Sequence, residues 1–119
     1  MYEIKVKSNF SAAHNLRNYR GKCENLHGHN WNIEATFAYK KLSGSGMAVD
    51  FKEAKSLLES VIKKFDHSYL NETSVFKRLN PTSENMARLI YDEIKKDNKH
   101  ISAVSVWENE NSCATYREG

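Results

Sequence analysis

Two histidines stand two positions apart in the stretch Cys23-Glu24-Asn25-Leu26-His27-Gly28-His29. In an extended chain residues i and i+2 leave the same face, so both imidazoles point one way, about 6.6 Å apart along the strand. That separation lets both converge on one ion. His14 ends another alternating segment on the parity of its apolar residues, and a hairpin can bring it beside the other two. Three imidazoles from two strands form an open tripod whose preferred ion is Zn²⁺, with a fourth position for water or substrate. Separate core or surface histidines are the plainer alternative, because His-x-His is a weak motif by itself. Three of the five histidines falling between positions 14 and 29 favour the metal.

Other residues carry further chemistry. Cys23, four positions before His27, can stand beside a cation as a thiolate and accept a proton. It can equally be a fourth ligand, which would make the site structural, or a small buried hydrophobe. Asp66 and His67 follow Phe65, the last apolar residue of a helical pattern. They read either as a proton relay or as an ordinary helix terminus favoured by the macrodipole. Glu108, next to Trp107 at a strand end, can accept paired hydrogen bonds from an amino-heterocycle, or be a solvated surface carboxylate. Cys113 has no ligand spacing around it and reads as packing, and His100 reads as an exposed turn residue.

The elements that must position these groups can be read from periodicity. Residues 2–14 alternate, with Ile4, Val6, Phe10, Ala12 and His14 on one parity. Trp31, Ile33, Ala35, Phe37 and Tyr39 repeat the pattern after a polar connection from Asn15 to Lys22, and His27 and His29 share their parity. Beyond a Ser-Gly loop the period changes: Phe51, Ala54, Leu57, Leu58, Val61, Ile62 and Phe65 mark an amphipathic helix, with Asp50 and Glu53 spaced for a capping box. A second helix is expected after Pro81-Thr82-Ser83, with Met86, Ile90 and Ile94 on one face. Strands over 101–107 and 113–117 complete the order β-β-α-α-β-β. This predicts a single α+β domain over 1–119, with a four-stranded antiparallel sheet covered on one face by two helices.

Composition sets limits on the whole. Of 119 residues 39% are hydrophobic when Tyr is counted. Exchanging Tyr for Gly to match the usual accounting leaves about 38%, against about 45–50% in a typical domain. So lean a core suggests a marginal monomer, or one completed against another subunit. The net charge of +3 suits an anionic small molecule as readily as nucleic acid. The aromatics follow strand and helix periods rather than a basic stripe, so no direct nucleic-acid partner is expected. The longest apolar run is three residues, and the N-terminus has no apolar h-region, which argues against a membrane span or secretory signal. Two cysteines make no disulfide framework, and a reduced, cytoplasmic setting is the expectation. Dinucleotide, P-loop, HExxH and GxSxG motifs are all missing.

Six blocks in order carry a resemblance. They are Phe10-Ser11-Ala12-Ala13-His14, Cys23-x-x-x-His27-Gly28-His29, Val49-Asp50-Phe51, Phe65-Asp66-His67-x-x-Leu70-Asn71, Pro81-Thr82-x-Glu84-Asn85, and Trp107-Glu108 with Ala114-x-Tyr116. Together they resemble the tunnelling-fold family of 6-pyruvoyl- and 6-carboxytetrahydropterin synthases. The short Cys23 to His27 gap and the short chain are similar to the bacterial carboxy-forming branch. The resemblance implies Zn²⁺ on His14, His27 and His29, Cys23 as proton acceptor with Asp66 and His67 as its relay, Glu108 as pterin anchor, and Thr82 among the substrate-binding residues. It implies 7,8-dihydroneopterin triphosphate as substrate. The carboxy-forming branch gives 6-carboxy-5,6,7,8-tetrahydropterin, acetaldehyde and triphosphate, on the route to 7-deazaguanine and queuosine. It implies assembly into a β-barrel, usually as a hexamer of two trimers. Asn109 departs from the Thr usual after the anchoring glutamate, with Glu110 offering a second carboxylate nearby. The competing readings are pyruvoyl-forming chemistry and a noncatalytic module in which Cys23 and the three histidines close a structural zinc site.

Overall fold

The structure is a computed structural model and describes residues 1–17 and 25–119. Its frame is a long antiparallel pair, β1 (Tyr2–His14) and β2 (His27–Tyr39), each of thirteen residues. The alternation in sequence is realised in space. Val6, Phe10, Ala12 and His14 of β1 are buried on the same side as Trp31, Ile33, Ala35 and Phe37 of β2. β2 begins at His27, so both of its histidines belong to the ladder.

α1 (Phe51–Ile62) and α2 (Ser83–Asp97) cover that face. α1 buries Ala54, Leu58 and Ile62. Its first residue, Phe51, stays 64% exposed, and Phe65 is buried from a 3-10 turn over Lys63–Phe65 rather than from the helix. The expected capping box is half made: Asp50 accepts from the backbone N–H of Lys52, with Glu53 outside the cap. α2 starts one residue earlier than expected, because Thr82 is its N-cap and accepts from Asn85 N–H at 3.1 Å. Met86, Ala87, Ile90, Tyr91 and Ile94 are buried along it.

The sheet departs from the expected four antiparallel strands by one short addition. A two-residue strand, β3 (Ser68–Tyr69), pairs parallel to β1 opposite Ala12 and Ala13. With β4 (Ile101–Trp107) and β5 (Cys113–Tyr116), the order is β3-β1-β2-β4-β5. So short a segment has too few residues to show a period, which is why alternation did not reveal it. Its entry is made by His67, whose φ of +57° turns the chain while its N–H donates to Ser11 O at 2.6 Å. Histidine is among the residues that tolerate this left-handed region.

Two single-residue expectations are corrected. Cys113 is exposed, because it begins an edge strand, where burial against the helices is weakest. His100 is half-buried rather than exposed: its ring stacks on Tyr39 with centroids 4.1 Å apart, and Nδ1 donates to Ala38 O.

Candidate functional site

The ladder register places the histidines. His14 lies directly across from His27, and Ala12 across from His29, so His29 is the diagonal neighbour on the same face. Cross-strand and diagonal neighbours are the pairs whose side chains can meet. Here one ligand nitrogen from each of His14, His27 and His29 lies within 4.8 Å of the others. Beneath them the wholly buried Trp31 indole meets His14 and His29 edge-on, with ring centroids at 4.8 and 5.3 Å, and donates to Ala12 O.

Hydrogen bonding sets the tautomers. His14 Nδ1 lies 2.8 Å from Pro81 O, and His27 Nδ1 lies 2.7 Å from Asn25 O. A carbonyl oxygen only accepts, so both Nδ1 atoms carry the hydrogen and both Nε2 atoms present lone pairs. Yet those Nε2 atoms are 3.0 Å apart. Two lone pairs at that distance need a cation between or beside them, either a proton or a metal ion. The proton is disfavoured at His14, whose pKa is lowered chiefly by burial, with the neighbouring histidines adding to the effect against the raising influence of Pro81 O and Glu108. His29 is lowered in the same way. His29 Nε2 is shielded from solvent and has no hydrogen-bond partner among the described residues. The donor set therefore fits a metal ion. Each Nδ1 bond to a carbonyl is the outer support that orients a ligating imidazole.

Glu108 borders this group. Its Oε2 lies 3.7 Å from His29 Nε2, too far for a hydrogen bond, and its Oε1 accepts from the Ser83 hydroxyl at 2.6 Å. β4 delivers it there, because Trp107 pairs with Asn32 on β2, one residue beyond Trp31. Asp66 and His67 are held elsewhere, at the β3 edge. Asp66 Oδ1 accepts from Ser11 N–H and Oδ2 lies 3.1 Å from His67 Nδ1. The Ser11 bond is the main influence holding the Asp66 carboxyl below its ordinary range. The His67 side chain is 84% exposed and lines an open cleft of about 510 Å³ that also reaches His29. Thr82 spends its hydroxyl on the α2 cap. Cys23 lies outside the described residues.

The profile of the 6-pyruvoyl tetrahydropterin synthase family matches residues 3–119. The chain belongs to this family. It is 36% identical over 114 residues to a putative 6-carboxy-5,6,7,8-tetrahydropterin synthase of Archaeoglobus fulgidus, covering 96% of this chain and 94% of that one. It is 30% identical to the 6-carboxy-5,6,7,8-tetrahydropterin synthase of Haemophilus influenzae, covering 99% of this chain and all of the other. Among solved structures, 6-pyruvoyl tetrahydropterin synthase of Caenorhabditis elegans superposes with a TM-score of 0.90 at 27% identity, over 99% of this chain and 96% of that one. The chain is thus an enzyme of the 6-pyruvoyl tetrahydropterin synthase family with the tunnelling fold.

Sequence reasoning missed the residues that hold His14, His27 and Glu108 in place. Pro81 and Asn25 act through backbone carbonyls, which every residue owns, so side-chain type carries no signal for them. Ser83 was visible only as part of a helix start, although its hydroxyl ties Glu108 to α2.

Proposed function

We propose that this protein converts 7,8-dihydroneopterin triphosphate to 6-carboxy-5,6,7,8-tetrahydropterin, releasing acetaldehyde and triphosphate, with Zn²⁺ held by His14, His27 and His29. The observation that carries the reading is the convergence of three imidazole nitrogens within 4.8 Å beside Glu108, in a chain whose full-length relatives bear that enzyme's name. A metal bound there supplies Lewis acidity toward the hydroxyls of the substrate side chain and the negative charge that develops next to them.

The chain's own residues supply the rest. Glu108 anchors the pterin: with Oε1 engaged by Ser83, Oε2 remains to accept from the amino-heterocycle, fixing the ring so that its side chain lies toward the histidines. Thr82, next to Ser83 at the α2 N-terminus, is assigned to substrate binding beside Glu108. Cys23 takes the proton from the side-chain carbon, and the Asp66/His67 pair relays it. The Asp66 carboxylate receives the His67 Nδ1 hydrogen, which leaves Nε2 as the basic nitrogen, facing outward. Such an outward-facing relay serves a site completed by a neighbouring copy, and the working form is a homo-oligomer, a hexamer of two trimers whose sheets join into a barrel. The setting is the cytoplasm, and the product feeds 7-deazaguanine and queuosine formation.

Product analysis by mass spectrometry after incubation with dihydroneopterin triphosphate and Zn²⁺ tests this. Acetaldehyde together with 6-carboxytetrahydropterin is expected. A 6-pyruvoyl product without acetaldehyde would assign the chain to the other branch, and no turnover with a bound ion in a closed Cys-His₃ site would make it a structural module.

A further inference from the structure

The chain leaving His14 is held in an unusual way. Asn71 clasps both backbone groups of Asn15, accepting from its N–H at 2.9 Å and donating to its C=O at 2.8 Å. Asn80 does the same to Arg17, at 3.0 and 3.2 Å. Two asparagine side chains thus stand in for a neighbouring strand. Arg17 returns the clasp from its side chain. Its guanidinium donates to Phe76 O at 2.6 Å, Leu79 O at 3.1 Å and Asn71 O at 3.2 Å, and pairs with no carboxylate among the described residues.

Two of these contacts, to Leu79 O and to the Asn80 side chain, fall just before Pro81. Asn80 precedes Pro81, whose carbonyl receives the His14 Nδ1 hydrogen. Asn80 O is itself held by Thr82 N–H and by Asn85 Nδ2, both at 2.8 Å. A planar fork with several donors suits a set of carbonyls that no single ammonium could span. We infer that Arg17 is a positioning residue for metal binding, clamping the 71–80 segment so that Pro81 O fixes the tautomer and orientation of His14. The inference rests on the reading of the three imidazoles as a metal site. Pro81 O is the group one bond removed from the ligand, and losing support of that kind typically costs about 10–100-fold in metal affinity.

The test compares the full-length protein with Arg17→Ala and with Asp50→Ala, a control that weakens the α1 cap far from Arg17. Zn²⁺ affinity is measured by competition with a chelator, and the His14 tautomer by ¹⁵N NMR of the metal-free protein. Expected are a roughly 10-fold or greater loss of Zn²⁺ affinity and loss of the single Nδ1–H tautomer in Arg17→Ala, both partly restored by millimolar guanidinium, with neither changed in Asp50→Ala. Should Arg17→Ala fail to fold, Arg17→Lys keeps the charge and is expected to lose affinity by a smaller, measurable factor. Folded variants of lowered melting temperature but unchanged Zn²⁺ affinity and His14 tautomer would overturn the inference and leave Arg17 a structural staple. Failure of the unaltered protein to bind Zn²⁺ would overturn the metal reading instead, while the tautomer spectrum would still judge the clamp.

Discussion

His14 and His27 face each other through Nε2 atoms whose rings are both hydrogenated at Nδ1, so acid and metal compete for the same lone pairs. Burial lowers the folded-state pKa of His14 below its ordinary 6.5. Between that depressed value and about 6.5 the unfolded chain binds the extra proton, so stability rises with pH through this window and is level above it. The metal-free protein should therefore show a lower urea midpoint at pH 5.5 than at pH 7.5, and an unchanged or higher midpoint in acid would refute the assignment. Zn²⁺ binding should weaken in the same direction, since the ligands must be unprotonated. His27→Ala is expected to lose both metal and turnover, and Cys23→Ala to keep the metal and lose turnover; full activity in Cys23→Ala would remove its assigned role. At His67 backbone and side chain can be separated, because asparagine also accepts a positive φ. His67→Asn should hold folding stability to within about 0.5 kcal/mol and retain Zn²⁺ while losing turnover, read by denaturation and product formation side by side.

At the scale of elements, the N-terminus of α2 joins the parts of the site. Within three consecutive residues Pro81 holds His14, Thr82 caps the helix and Ser83 holds Glu108. Thr82→Ala should cost about 1 kcal/mol in chemical denaturation, and Thr82→Ser should recover most of it. No loss in Thr82→Ala would mean that the Asn85 bond contributes nothing to folding. The Pro-Thr-Ser run was legible as a helix start because capping chemistry is local. Its two other duties were not, since they depend on partners 67 and 25 positions away. The same distinction explains the strands. Period-two alternation revealed β1 and the body of β2, whereas β3 exists only because Ser11 and Ala12 offer a free edge to a chain turned by His67.

For the whole molecule, the lean composition matches an extended shape. The radius of gyration is 15.2 Å, against about 13.5 Å for a compact chain of this length. The β1–β2 pair accounts for much of the elongation, and the principal extents are 53 × 27 × 26 Å. Among the described residues β5 ends the sheet with one edge unpaired, and exposed strand edges are ready to pair with another copy. Apolar side chains such as Tyr2, Leu42, Met47 and Phe51 also remain exposed. Sedimentation over a dilution series, paired with thermal melts, should show assembly and melting temperature falling together. A concentration-independent monomer with a constant melting temperature would contradict the proposed oligomer and the proposed sharing of a site between copies.

By itself the sequence determined which three imidazoles share a face and the frame that carries them: spacing and parity put His14, His27 and His29 on one side, and helical periods named the layer that covers it. Those are consequences of local geometry, the two-residue repeat of a strand and the three- to four-residue repeat of a helix, which a linear pattern records in full. Only the tertiary structure decided which nitrogens of His14 and His27 present lone pairs, because that depends on two backbone carbonyls, one of them 67 positions away. It also decided that Glu108 stands beside His29 while Asp66 and His67 face outward, since the register between strands, and not position along them, sets which carboxylate reaches which imidazole.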